Sequence, residues 1–182
     1  MGLFLNVLIV KDSNEENVRQ VLEKMGSKNS GWNLIPEDCK YQENSSGTAV
    51  LLNEMCASYD GLPRILSEEL DHPVMSCFIY DGDFWGYSLY DNGAELDNFN
   101  PIPDYFEDVS EKERQQMAGN SHLIAEYFNV DEAKISNYLQ EWTDELLDSE
   151  EKLRAYEDDE FCIGEDWQMA DFMKAIGFPY VW

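Results

Sequence analysis

The sequence predicts an α+β fold: an N-terminal sheet, mixed or antiparallel, with two helices, followed by a helical C-terminal portion. Three observations lead there. Short apolar runs alternate with amphipathic stretches up to residue 80, glycine-containing tight turns then join further short runs, and the apolar spacing becomes helical from Ser110 onward. With 43% apolar and 13% aromatic residues in 182, a sizeable core is available, since folding at this length buries roughly 70% of the extended-chain surface. The chain reads as a single domain over 1–182, with an α/β part over 1–106 and a helical part over 107–182 packed on it.

The run from Leu3 to Val10 is short, apolar and β-branched near its end, which suits a strand buried on both faces. Ser13 and Glu16 then stand at capping-box spacing. Val18, Val21, Leu22 and Met25 recur at i, i+3, i+4 and i+7, and Gly26 supplies a left-handed stop, so a helix is predicted between them. After a loop from Ser27 to Gly31, extended segments are predicted from Trp32 to Ile35 and from Lys40 to Glu43, around Pro36. Asn44-Ser45-Ser46-Gly47 turns the chain into a strand from Thr48 to Leu52. A second helix starts at Asp60-Gly61-Leu62-Pro63, carries Leu62, Ile65, Leu66 and Leu70 on one face, and ends at His72-Pro73. Strands from Val74 to Tyr80, Phe84 to Tyr90 and Ala94 to Phe99 follow, joined by Asp81-Gly82-Asp83 and Asp91-Asn92-Gly93. The first six elements run βαββαβ, a ferredoxin-like start, with two meander strands added. Topology of that kind carries no function.

Pro101 and Pro103 lack ladder donors, so Asn100 to Phe106 is predicted as an ordered crossing segment anchored by its aromatics. Beyond it, Ser110 with Glu113 repeats the capping-box pattern. Amphipathic helices are predicted from Ser121 to Phe128, Asp131 to Leu147 and Glu165 to Ile176, the last closed by Gly177 and Pro179.

The charge narrows the function. Thirty-eight Asp and Glu against twelve Lys and Arg give −26, mostly from acids beyond residue 70. Such a field repels phosphate backbones and anionic lipid and attracts basic proteins, which sets aside nucleic acid and membrane as partners. No run approaches the roughly eighteen apolar residues of a membrane span. The opening Met1-Gly2-Leu3-Phe4-Leu5-Asn6 has no basic region, its apolar run is broken at Asn6, and Asn6 stands where myristoylation favours Ser or Thr, so neither a secretory signal nor that lipid anchor is expected. Cys39, Cys56, Cys77 and Cys162 form no C-x-x-C pair, which points to free thiols in a reducing cytoplasm.

No catalytic, cofactor-binding or metal residue is assigned. His72 and His122 belong to no metal-binding spacing, no nucleophile elbow or phosphate loop is present, and Asp81-Gly82-Asp83 fails as a calcium loop because Trp85 and Asn92 occupy ligand positions. A hydrolase using dispersed carboxylates is one alternative, since convergence in space leaves no local motif. A helix-turn-helix transcription regulator is another. Ile124 to Leu139 has the apolar spacing for it, although Asp131, Glu132 and Glu141 surround a lone Lys134 where a DNA reader needs basic groups.

The densest acidic run is Glu157-Asp158-Asp159-Glu160, and Trp142, Tyr156, Phe161 and Trp167 are interleaved around it. Such runs usually form a solvated face. Acids beside aromatic anchors also make a docking surface for a basic protein, the charges steering encounter and the rings adding buried contact. Glu157, Asp158, Asp159, Glu160, Phe161 and Trp167 are therefore the expected partner-binding residues of a non-enzymatic cytoplasmic binding protein.

Asp83-Phe84-Trp85-Gly86-Tyr87, Leu89-Tyr90-Asp91-Asn92-Gly93, Asp97, Phe99-Asn100 and Pro103-Asp104-Tyr105-Phe106 together resemble a recurring segment of bacterial proteins whose function is not established. Ala175-Ile176-Gly177-Phe178-Pro179 is similar to the ending of some of them. In size and acidity the chain is also similar to small cytoplasmic immunity proteins, which implies a toxin of the same cell as the basic partner and carries over no functional residue.

Overall fold

A run of apolar residues from Val7 to Val10 is buried throughout, and around it the chain builds its sheet. The computed structural model describes residues 2–28, 30–56 and 61–182. Six strands, β1 (Leu5–Lys11), β2 (Lys40–Asn44), β3 (Gly47–Leu51), β4 (Val74–Tyr80), β5 (Phe84–Asp91) and β6 (Ala94–Phe99), form one antiparallel sheet in the order β2-β3-β1-β4-β5-β6. Helices α1 (Glu15–Lys28) and α2 (Gly61–Leu70) connect the early strands. The order of the first four strands follows from the split βαβ arrangement: α1 carries the chain past one strand position, and β3 fills it, pairing with both β1 and β2. The helical portion then holds α3 (Glu111–Gln116), α4 (Ser121–Phe128), α5 (Asp144–Leu147) and α6 (Gln168–Ala175). The predicted α+β class is the one observed, with the βαββαβ start and its two added strands.

Two compact units divide the chain. One comprises Phe4–Phe78 with Ser88–Leu96 and Trp182. Its core joins Leu8 and Val10 of β1 to Val18, Leu22 and Met25 of α1, Val50 of β3, and Leu62 and Leu66 of α2. Gly47 sits at φ +141°, and a Cβ there would lie 2.1 Å from the Val10 carbonyl oxygen, so only glycine lets β3 start opposite Lys11. The Asn92-Gly93 turn has both residues at positive φ, as a type I′ hairpin requires, and Gly93 N–H donates to Ser67 Oγ at 3.0 Å.

Local details of this unit differ from the sequence reading. Asn14, not Ser13, caps α1: its Oδ1 accepts from Asn17 N–H at 2.9 Å, while the Ser13 carbonyl accepts from the Thr48 hydroxyl. The helix also runs past Gly26. That glycine serves close packing, since a Cβ would stand 3.1 Å from the Leu34 carbonyl oxygen. The extended segment expected from Trp32 to Ile35 is replaced by single 3₁₀ turns at Ser30–Trp32 and Pro36–Asp38, the second opened by proline's fixed φ. Asn29 of the predicted loop and Asp60 of the predicted helix start lie outside the described residues.

The other unit consists chiefly of Ile79–Tyr87 and Asp97–Val181. Its centre is aromatic. Trp85 and Tyr87 of β5 pack against Phe99 and against Phe172 of α6, with Tyr87 and Phe172 parallel at 5.4 Å, and Trp85 Nε1–H donates to Gln168 Oε1 at 3.1 Å. The Asp81-Gly82 turn has both residues at positive φ, and Asp83 N–H closes it onto the Tyr80 carbonyl at 2.9 Å. The capping box of α3 forms as predicted, from Ser110 and Glu113, and α4 spans the predicted residues with Asn120 as its cap.

The helix predicted from Asp131 to Leu147 does not form. Single 3₁₀ turns at Glu132–Lys134 and Ser136–Tyr138 and the one-turn α5 take its place. Bonds outside the segment explain the break: Trp142 N–H donates to the Pro101 carbonyl at 2.8 Å, and Asn137 gives its backbone N–H to the Tyr156 hydroxyl and its side-chain amide to the Ala155 carbonyl. The helix-turn-helix reading thereby loses its second helix. α6 starts at Gln168 rather than Glu165, and Gly177, at φ +89°, closes it as expected.

Candidate functional site

In sequence, residues 157–160 are four alike carboxylates, but the fold sorts them. Glu157, Asp158 and Glu160 are exposed, whereas Asp159 is only 9% exposed. Asp159 Oδ1 accepts from the buried Tyr138 hydroxyl at 2.6 Å, and its Oδ2 accepts from Tyr156 N–H at 2.8 Å. It is therefore an internal brace of the loop and is withdrawn from the partner-binding set. Burial pushes the Tyr138 phenol far above its ordinary value, and the adjacent carboxylate adds to the rise. A second inward carboxylate, Asp171 of α6, accepts from Glu160 N–H at 2.9 Å and Phe161 N–H at 2.8 Å. Two buried acids thus hold the backbone from which three exposed acids project.

Phe161 and Trp167 are half-buried and stack on each other at 6.2 Å and 30°. Trp167 also meets Tyr180 edge-on at 5.3 Å. The three rings form a ledge with part of each face packed and part open to solvent, the arrangement that lets a contact gain burial at small entropic cost. Trp142 and Tyr156 do not join it: Trp142 is buried and Tyr156 packs against Tyr138. Asp166, next to Trp167, is half-buried, and burial raises its pKa, with the charges of Glu165 and Asp83 adding to the rise. Leu146, Leu153, Ile163, Glu145, Glu151 and Lys152 are among the residues that line a hollow of about 250 Å³. Exposed Lys152 and Arg154 interrupt the acids on the upstream side.

One further carboxylate has a raised pKa. Burial raises Asp97, although Tyr87 O–H at 2.6 Å and Asn120 N–H at 2.9 Å both donate to its Oδ2. Those donors use the oxygen internally and tie β6 to the start of α4, so Asp97 acts as a structural joint. Among the described residues no group of three or more His, Cys, Asp or Glu is placed to hold a metal ion, and no helix is long and apolar enough to cross a membrane. Cys39, Cys56 and Cys77 are buried free thiols, and Cys162 is a half-buried one. Burial alone raises Cys77, and burial raises Cys39 to about 11, which keeps both as poorly nucleophilic thiols.

Sequence reasoning missed Asp171, Asp166, Asp83 and Tyr180. Only Tyr180 left a local trace, as an aromatic directly after the helix-closing Gly177-Phe178-Pro179. The others are single acids in a chain full of them, distinguished by burial or by partners beyond any local motif. No protein-family model, no curated protein and no solved structure matches the chain, so its function is read from this geometry.

Proposed function

We propose that the chain is a non-enzymatic, acidic, cytoplasmic binding protein that engages a basic protein partner, in its most concrete form a bacterial immunity-like protein that neutralises a toxin. The observation that supports the reading is the exposure of Glu157, Asp158 and Glu160 on a loop braced from inside by Asp159 and Asp171, beside the Phe161 and Trp167 ledge. The exposed acids supply long-range attraction that speeds encounter with a basic surface. The rings supply the short-range burial that slows release. A solubilising face needs the first feature and has no use for the second.

The test uses the full chain as bait, as wild type and as the variants Glu157→Ser/Asp158→Ser/Glu160→Ser and Trp167→Ala, with retained proteins quantified by mass spectrometry. The expected result is a basic protein enriched by the wild type and depleted with both variants. Retention of the same set by all three baits, or retention of acidic proteins only, contradicts the proposal.

A further inference from the structure

Among the described residues the most exposed aromatic side chain is Phe106, which stands outside the acidic run in sequence. Phe106 is 66% exposed, yet its ring is held firmly: it stands edge-on to Tyr80 at 5.1 Å and 88° and to Tyr105 at 4.9 Å and 78°. Tyr105 in turn packs on Phe84 at 5.0 Å and donates its hydroxyl to Asp83. The loop that carries Phe106 is pinned on both sides. Tyr105 N–H donates to the Ile102 carbonyl at 3.0 Å, Val109 N–H donates to Asp104 Oδ1 at 3.0 Å, and Asp104 is also paired with Arg114. An exposed ring on a loop fastened in this way is a pre-organised anchor, for which binding costs little further ordering.

Its surroundings are acidic. Asp81, Asp83, Glu107 and Asp108 are all exposed, and the Tyr105 phenol is pushed up to about 12, first by its hydrogen bond to Asp83, then by desolvation and by the charges of Asp83 and Asp81. A second copy of a chain carrying −26 is a poor occupant of such a surface. A cationic group that also stacks on an aromatic face is a good one. Within its other unit the chain shows that chemistry: the Arg19 guanidinium lies 3.9 Å from the centre of the Tyr41 ring while Glu15 Oε1 takes its N–H at 2.7 Å. Arginine suits the combination better than lysine, because a planar guanidinium stacks and forks to carboxylates at once.

We infer that Phe106, flanked by Asp81, Asp83, Glu107 and Asp108, is a second docking point of the binding surface and takes an arginine side chain of the basic partner. The inference rests on the reading of the chain as an acidic binder of basic proteins and adds to it a side-chain preference and a place. The probes are octa-arginine and octa-lysine peptides of equal charge, titrated by calorimetry at about 0.15 M salt into wild type, Phe106→Leu, Phe106→Trp and the Glu157/Asp158/Glu160 triple Ser variant. Wild type is expected to bind octa-arginine about tenfold more tightly than octa-lysine. Phe106→Leu, which keeps apolar bulk but no π face, is expected to lose that preference, Phe106→Trp to keep it, and the triple variant to keep the preference while binding both peptides more weakly. Melting curves confirm that each variant is folded.

Equal affinity of wild type for the two peptides, or an undiminished preference in Phe106→Leu, overturns the docking point. If the triple variant still weakens both peptides in that case, the acidic-binder reading stands without it. Wild type binding neither peptide overturns both.

Discussion

Asp159 and its neighbours show how little a residue's type says of its role in a chain with this composition. Four consecutive acids look interchangeable, and what separates them is a tyrosine hydroxyl from residue 138 and a carboxylate from residue 171, neither of which is local. Asp159→Ala is expected to destabilise the protein by about 1–3 kcal/mol, because it strands the Tyr138 hydroxyl in the interior. Replacing Glu157, Asp158 and Glu160 with Ser is expected to change stability by less than about 0.5 kcal/mol per site. Urea unfolding of the two variants checks the contrast, and comparable losses contradict the sorting of the run.

Asp97 gives a pH signature at the same scale. Its pKa is raised by burial in the folded chain, so its contribution is fully favourable below the ordinary aspartate value of about 3.9 and is lost as pH rises through the folded pKa. Asp97→Asn keeps an oxygen that can accept from Tyr87 and Asn120 and removes the ionisation. Relative to this variant, wild type is expected to lose stability as pH rises from 3 towards 7, measured by urea midpoints across the range. A difference independent of pH contradicts the assignment.

Elements whose ends carry their own chemistry were legible. The Asn92-Gly93 hairpin, the Ser110 and Glu113 capping box and the Gly177 stop are each set by a few adjacent residues, and each forms where the sequence places it. The helix expected from Asp131 to Leu147 was not legible, because the backbone of Trp142 and Asn137 is claimed by Pro101, Ala155 and Tyr156, which no periodicity reveals. Likewise the cap of α1 moved from Ser13 to Asn14 because the Ser13 carbonyl is committed to Thr48. Gly47 provides the test at this scale. With a Cβ 2.1 Å from the Val10 oxygen and φ at +141°, Gly47→Ala is expected to cost about 3 kcal/mol or more and to act on the β1 to β3 ladder. Guanidinium unfolding together with amide exchange of Ile9 and Val10 reads both parts, and a loss below about 1 kcal/mol contradicts the close approach.

For the whole molecule, a charge of −26 on 182 residues sets the balance between solubility and self-repulsion. Stability is expected to rise as salt goes from about 0.02 to 0.5 M, since the Debye length shortens from roughly 20 Å to about 4 Å and screens repulsion among exposed acids. A melting temperature indifferent to ionic strength contradicts this. The fold class was readable at this scale because apolar periodicity and turn chemistry agree with each other. The candidate surface was readable by half: charge and aromatic content mark the region after residue 150, while the outward set of acids and the Tyr180 contribution depend on how Asp171 and α6 gather the loop.

If exposed acids on the braced loop steer a basic protein onto the aromatic ledge, as we propose, the association rate of a captured basic partner reads it out, followed by stopped flow at several salt concentrations with wild type and with Glu157→Ser/Asp158→Ser/Glu160→Ser. Slower association and a flatter salt dependence are expected for the variant, with dissociation nearly unchanged, whereas Trp167→Ala mainly speeds dissociation. Identical association rates and salt slopes for wild type and the triple variant would contradict it.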